Sequence, residues 1–153
     1  MADDIVQSIV KKSLVECGFH KTERMKFSMD LFETVVTIEL QNNSFNKLQH
    51  FLNLTVEFSD SAMRSYELNE IFALWTRVES LVPLRRPKYQ GALDASNNLS
   101  LDERSDLLRE LFFSELKYFL KKFSTYTGIE SLYKEGGLGL ASVAVQLKRR
   151  WDH

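Results

Sequence analysis

The sequence is poor in residues that staple a fold covalently or through metal: among 153 residues there are one cysteine, Cys17, and three histidines, His20, His50 and His153. A lone thiol excludes an internal disulfide and points to a reducing compartment, the cytoplasm. The histidines lack the spacing that sets two imidazoles on one ion, so neither a metal site nor a cofactor is expected. Cys17 reads as a small buried hydrophobe rather than a nucleophile. An excess of one charge is also missing, since 20 lysines and arginines meet 21 aspartates and glutamates and leave a net charge of -1. That balance supplies no global field to gather nucleic acid or an anionic membrane. No apolar run approaches the ~20 residues of a spanning helix, and the opening Met-Ala-Asp-Asp is acidic where a secretory signal is basic. Repeats and low-complexity segments are absent as well, so one domain over residues 1–153 is expected, large enough to bury a core.

What the chain does have is alternation. Met25, Phe27, Met29 and Leu31 alternate with Arg24, Lys26, Ser28 and Asp30. Phe32, Thr34, Val36, Ile38 and Leu40 alternate with Glu33, Val35, Thr37, Glu39 and Gln41. Leu48, Leu52, Leu54, Val56 and Phe58 alternate with Gln49, Asn53, Thr55 and Glu57, with His50 and Phe51 off the pattern. A period of two means pleated strands with one buried face. The asparagine-rich link from Asn42 to Lys47 reads as a polar hairpin loop. Residues 59 to 70 read as a connector or short helix. Ile71 to Val78 fits a fourth strand, with Phe72, Leu74 and Val78 inward and Trp75 and Arg77 outward; a helix through Trp75 to Leu81 competes with it.

Helices flank these strands. Ile5, Val6, Ile9, Val10, Leu14 and Cys17 recur at helical spacing, with Asp3 or Asp4 as cap and Gly18 as stop. Pro83 and Pro87 interrupt the chain, making Leu84 to Asn98 its most loop-like span. Ser100 and Glu103 form a capping-box pattern ahead of a broad stripe from Leu107 to Phe123. A short helical segment, Ile129 to Lys134, leads through Gly136, Gly137 and Gly139, read as a helix-to-helix turn, to a last helix from Leu140 to Arg150. The expected fold is α+β: an antiparallel sheet of about four strands, packed on one face by the N-terminal and C-terminal helices.

Catalytic motifs are thin. The glycine cluster lacks the lysine and hydroxyl residue of a phosphate-binding loop, and no serine has a nucleophile-elbow context. Glu33, Glu39 and Glu57 all fall on the face opposite the main apolar stripe, near Lys26, Gln41, Asn53 and Arg77. Such an array serves as a solvated face, as a contact surface, or as a small active site using paired carboxylates. Phe51 and Trp75 favour contact, since large aromatics on a polar face anchor interfaces. Two basic groups remain: Arg85, Arg86 and Lys88 beside Tyr89, and Lys148, Arg149 and Arg150 beside Trp151. They are the only basis for a nucleic-acid role.

The order of short phrases is also familiar. Leu14-Val15-Glu16-Cys17-Gly18-Phe19 closes the first helix and is followed by Lys21 and a strand around Phe27. Leu40-Gln41 precedes Ser44, Asn53-Leu54 lies inside a strand, and Arg77 precedes Leu81-Val82-Pro83. Phe123, Tyr126 and Gly128 sit on or after a late helix. This layout resembles the bacterial domain-of-unknown-function family 4304 from residue 3 to about residue 135, although Gln41 and Ser44 stand further apart than the family's pair. The resemblance implies a compact α+β protein without an assigned reaction. Proteins of this kind also look like immunity partners of contact-delivered bacterial toxins, which block a toxin stoichiometrically. The expectation is therefore a non-enzymatic module that binds another protein, a toxin being the candidate. Its surface would comprise Glu33, Glu39, Phe51, Glu57, Trp75 and Arg77, flanked by Arg85, Arg86 and Lys88; homo-oligomerisation stays open.

Overall fold

A computed structural model describes residues 2–152, with side chains from residue 5 onward, so the Asp3 or Asp4 cap lies outside the described side chains. Its centre is an antiparallel sheet whose six strands lie in chain order: β1 (His20–Glu23), β2 (Lys26–Asp30), β3 (Thr34–Asn42), β4 (His50–Phe58), β5 (Phe72–Arg77) and β6 (Ser142–Val143). The α+β class agrees with the alternation, but the sheet is wider than the four strands it suggests. Both additions are edges. Every residue of β1 is exposed, so it carries no alternation to read, and β6 has only 2 residues. The chain turns from β1 into β2 through Arg24 and Met25, the latter at φ +55°, which trims the expected first strand.

β3 and β4 form the middle, with Val36 opposite Val56, Ile38 opposite Leu54, and Leu40 opposite Leu52. All six are buried, and each such aliphatic side chain contributes about 1.5–3 kcal/mol through burial. His50 is inward too, fully buried, and its Nδ1–H donates to Leu93 O at 3.0 Å. The competition over residues 71–78 resolves as strand, because Leu74 and Thr76 pair along β4 opposite Val56 and Leu54. The register slips between Val56 and Glu57, so Phe72 pairs with Glu57. Phe72, expected inward, therefore ends half-buried at the margin of the core. Such an extra residue is the usual signature of a bulge.

Helices cover only the apolar side. α1 (Ala2–Glu16) buries Val6, Val10 and Leu14 at four-residue spacing and stops at Gly18, whose φ of +102° suits glycine. After the short α2 (Asp60–Ser65), the span from Leu84 to Asn98 departs from its loop-like reading. It holds a 3₁₀ turn at Pro83–Arg85 and then α3 (Arg86–Ala92). Both prolines occupy the first turn, where no amide hydrogen is required, so they start these elements rather than break them. The long helix runs as α4 (Leu101–Glu110), a π-helical turn at Leu111–Leu116, and α5 (Lys117–Phe123). Its capping box is complete: Ser100 Oγ accepts from Glu103 N at 3.1 Å, and Ser100 N donates to Glu103 Oε2 at 3.4 Å. Leu108, Leu111, Phe112, Leu116, Phe119 and Phe123 bury its stripe against the sheet side of the core.

α6 (Tyr126–Lys134) follows, capped by the Thr125 hydroxyl. The glycine cluster then links a helix to a strand rather than to a helix, since residues 142–143 pair with β5 before α7 (Val145–Trp151) begins. Gly136 takes φ +80° there. No helix among the described residues is long and apolar enough to cross a membrane.

Candidate protein-binding face

Strict alternation in β3 and β4 throws Val35, Thr37, Glu39 and Gln41, and Phe51, Asn53, Thr55 and Glu57, onto the far side of the sheet. All are half-buried except Gln41, which is exposed; none is covered. Trp75 and Arg77 of β5 join them, also half-buried. The register arranges them in rows. Lys26, Glu39, Asn53 and Arg77 form one row across β2 to β5, and Ser28, Thr37, Thr55 and Trp75 form the next. Ser28 Oγ and Thr37 Oγ1 share a hydrogen bond of 3.0 Å within that second row.

Arg77 is the pivot of this face. Its guanidinium carbon lies 3.9 Å from the centroid of the Phe51 ring and 5.8 Å from that of Trp75. Attraction between a cation and an aromatic face is worth ~0.5–2 kcal/mol, which favours this arrangement of the three side chains. Beside them Asn53 Nδ2 donates to Gln41 Oε1 at 2.6 Å. Asn53 Oδ1 and Arg77 Nε are buried with no hydrogen-bond partner. Each such atom costs roughly 1–3 kcal/mol while unpaired, so the centre of the face holds polar groups that its own residues leave unsatisfied. Glu39 and Glu57 form no ion pair among the described residues, although Lys26 stands opposite Glu39 in register.

As a reacting pair these carboxylates are badly placed. Glu39 stands opposite Asn53, and Glu57 lies four positions further along β4. That offset is about 13 Å at ~3.3 Å per residue, beyond the ~5–9.5 Å over which two carboxylates share a bond-breaking step.

The remaining expected site residues go elsewhere. Glu33 is not on the sheet face but in the β2–β3 turn, where its Oε1 accepts from Tyr126 N at 3.0 Å. Its own amide donates to Ser124 O at 2.8 Å, and its carbonyl accepts from Ser59 N at 2.9 Å. It is a brace for the start of α6. Arg85 and Lys88 face the long helix rather than flanking the sheet: Arg85 Nη1 meets Glu115 Oε1 at 2.7 Å, and Lys88 Nζ meets Glu110 Oε1 at 2.8 Å. The buried Tyr89 donates its hydroxyl to the same Glu110 oxygen at 3.0 Å, and burial pushes its pKa well above the ordinary phenol value. Lys88 in turn holds the Glu110 carboxyl below its usual range. Positions five apart on an α-helix point about 140° from each other, whereas a π turn brings them toward one side, so that turn lets Glu110 and Glu115 share a face. Arg86 is exposed and makes no ion pair among the described residues.

Of the second basic group, Arg150 is committed internally, while Lys148 and Arg149 are exposed. Arg150 donates to the carbonyls of Tyr66 and Glu67, and the buried Trp151 donates from Nε1 to Tyr126 Oη at 3.1 Å. Cys17 is half-buried, less enclosed than the sequence suggested, and its thiol leans on Phe112 O at 3.8 Å. Burial raises its pKa, the opposite of what a nucleophile needs. No group of three or more metal-ligating side chains exists among the described residues.

One buried acid escaped the sequence reading. Glu79, fully buried in the 3₁₀ turn Val78–Ser80, accepts from Leu52 N at 3.1 Å and 3.4 Å with its two oxygens. β5 ends at Arg77 while β4 continues, so this carboxylate substitutes for the missing strand. Burial pushes its pKa up to about 7 against the opposing pull of its own amide, Leu52 N, Arg77 and Arg86. A glutamate between Val78 and Ser80 gives no pattern by which to find it. Comparison with protein-family models, with curated proteins and with solved structures found no match to this chain.

Proposed function

We propose that the protein is a non-enzymatic binding protein that sequesters another protein stoichiometrically, as an immunity protein neutralises a toxin. The partner docks on the outer sheet face through Glu39, Phe51, Glu57, Trp75 and Arg77. The observation that carries this reading is the Phe51–Arg77–Trp75 cluster, on a face that no helix covers among the described residues. Aromatic and arginine side chains fixed in advance lose little entropy on docking, which suits them to the centre of an interface. Glu39 and Glu57, without ion pairs among the described residues, suit a partner surface carrying lysine or arginine opposite them, steered into place by charge.

The test is co-expression with the product of the adjacent reading frame, followed by calorimetric titration of the purified pair. A nanomolar to micromolar complex with the wild-type chain is expected. The double substitution Glu39→Lys and Glu57→Lys weakens it by tenfold or more while the circular dichroism spectrum stays unchanged. Unaltered affinity in that variant removes this face from the interaction.

A further inference from the structure

A cavity on the helical side of the sheet carries no assigned role. It measures about 250 Å³ and opens at the end of β5, between the glycine-rich link and the turn that begins at Pro83. Leu81, Phe119 and Leu138, all buried, supply apolar wall, and none of the lining residues bears a charge. Two hydroxyls interrupt that wall. Thr76, on the inward face of β5, is 2% exposed, and Ser80, at the end of the 3₁₀ turn, is 9% exposed. Both line the cavity, and neither hydroxyl makes a hydrogen bond among the described residues. The wholly enclosed side-chain atoms that lack a partner lie elsewhere, on Asn53, Arg77 and Glu115, so both hydroxyls open onto the cavity. Buried polar groups are ordinarily paired, and two unpaired ones around one hole call for a partner from outside the chain.

We propose that this cavity binds a small neutral molecule with a ring-sized apolar body and a hydroxyl head, the ring lying against Phe119 and the head pairing with Thr76 and Ser80. Size selects the body. A cavity of ~150 Å³ accommodates benzene, so about 250 Å³ takes one ring with a few further atoms rather than a nucleotide or a long chain. The lining selects the head. An ionised group would find no opposite charge there, and a purely apolar guest would leave both hydroxyls stranded. A hydroxyl donates and accepts at once, as Thr76 and Ser80 do, so it satisfies either arrangement of protons. Access falls to the glycine cluster: Gly136, Gly137 and Gly139 form the exposed side of the cavity and bring no side chain to close it. The inference is independent of the outer sheet face, because Thr76 lies on the opposite side of β5 from Trp75 and Arg77.

Calorimetric titration of the full chain with p-cresol and with toluene tests it, and heteronuclear NMR spectra locate the bound ring. The wild type is expected to bind p-cresol with sub-millimolar affinity, at least tenfold more tightly than toluene, shifting the amide resonances of Thr76, Ser80 and Leu138 to Ala141. In a hole without hydroxyls the order reverses, since the cresol head loses water and gains nothing in return. Thr76→Val combined with Ser80→Ala removes no internal hydrogen bond and is expected to keep the wild-type circular dichroism spectrum. That variant loses the tenfold preference, while its affinity for toluene stays within threefold. No p-cresol binding up to its solubility limit overturns the proposal, as do equal affinities of the wild type for the two rings, a comparison that needs no variant. Resonance shifts confined to the outer sheet face, or a preference that survives the double substitution, overturn it as well.

Discussion

The outer sheet face and the groove between α3 and the long helix hold similar residues, yet they use them differently. Each combines two carboxylates, arginine or lysine, and an aromatic ring. In the groove every charge but that of Arg86 is spent internally: Arg85 on Glu115, Lys88 and Tyr89 on Glu110. On the sheet face Arg77 is shared by two rings, and Glu39 and Glu57 have no ion pair among the described residues. The groove fastens the fold, and the sheet face leaves its carboxylates without ion pairs among the described residues. Composition alone does not distinguish them; the register and the π turn do.

The largest expected effect separates the covered side of the sheet from the open one. Phe112→Ala, in the fully buried stripe of the long helix, lowers unfolding free energy by about 3–5 kcal/mol, while Trp75→Ala on the outer face costs less than about 1 kcal/mol. Urea unfolding of both variants checks this, and equal losses would erase the distinction between the two sides.

Next comes pH. Glu79 has a folded-state pKa of about 7 against an ordinary 4.5, so the folded protein keeps this proton to higher pH than the unfolded chain does. Its contribution to stability is therefore fully present below pH ~4.5 and is lost as pH rises toward ~7, by up to about 3 kcal/mol at ~1.4 kcal/mol per pH unit. Glu79→Gln flattens that slope and leaves the variant more stable than wild type at pH 8. Urea midpoints at pH 5 and pH 8 for both chains measure it; a wild-type midpoint indifferent to pH refutes the assignment.

The smallest effect lies in the groove. Arg85 is half exposed, so its ion pair by itself adds little. Arg85→Ala, however, strands the buried Glu115, whose Oε2 already lacks a partner, and raises the cost to roughly 1–3 kcal/mol. Thermal unfolding at neutral pH resolves that loss from the sub-kilocalorie change expected for Lys88→Ala, whose pair is exposed on both sides.

The legible parts of the sequence are those where one physical signal dominates. Val36, Ile38, Leu52 and Leu54 alternate with polar neighbours because one face is buried and the other is not, and that places Glu39 and Glu57 on the outer face, whereas Trp75 and Arg77 join them only because residues 72–77 pair as a strand. Where the signal stops, extrapolation fails. Glu33 continues the alternation on paper, but β3 starts at Thr34 and the chain before it turns toward α6. β1 has no buried residue to reveal it, and β6 exists only because a distant segment returns to β5. Pro83 and Pro87 read as interruptions although both sit where helices tolerate them best. The π turn and Glu79 depend on tertiary packing and leave no periodic trace.

The margins of the sheet carry one last consequence. β6 occupies part of the free side of β5, and β1 offers the other margin only short and solvated, with His20, Lys21 and Glu23 along it. Neither rim invites an extended peptide from outside to add itself to the ribbon, which also keeps copies of the chain from stacking into fibres. On the proposed function, a partner then approaches broadside and is recognised through side chains rather than through main-chain pairing.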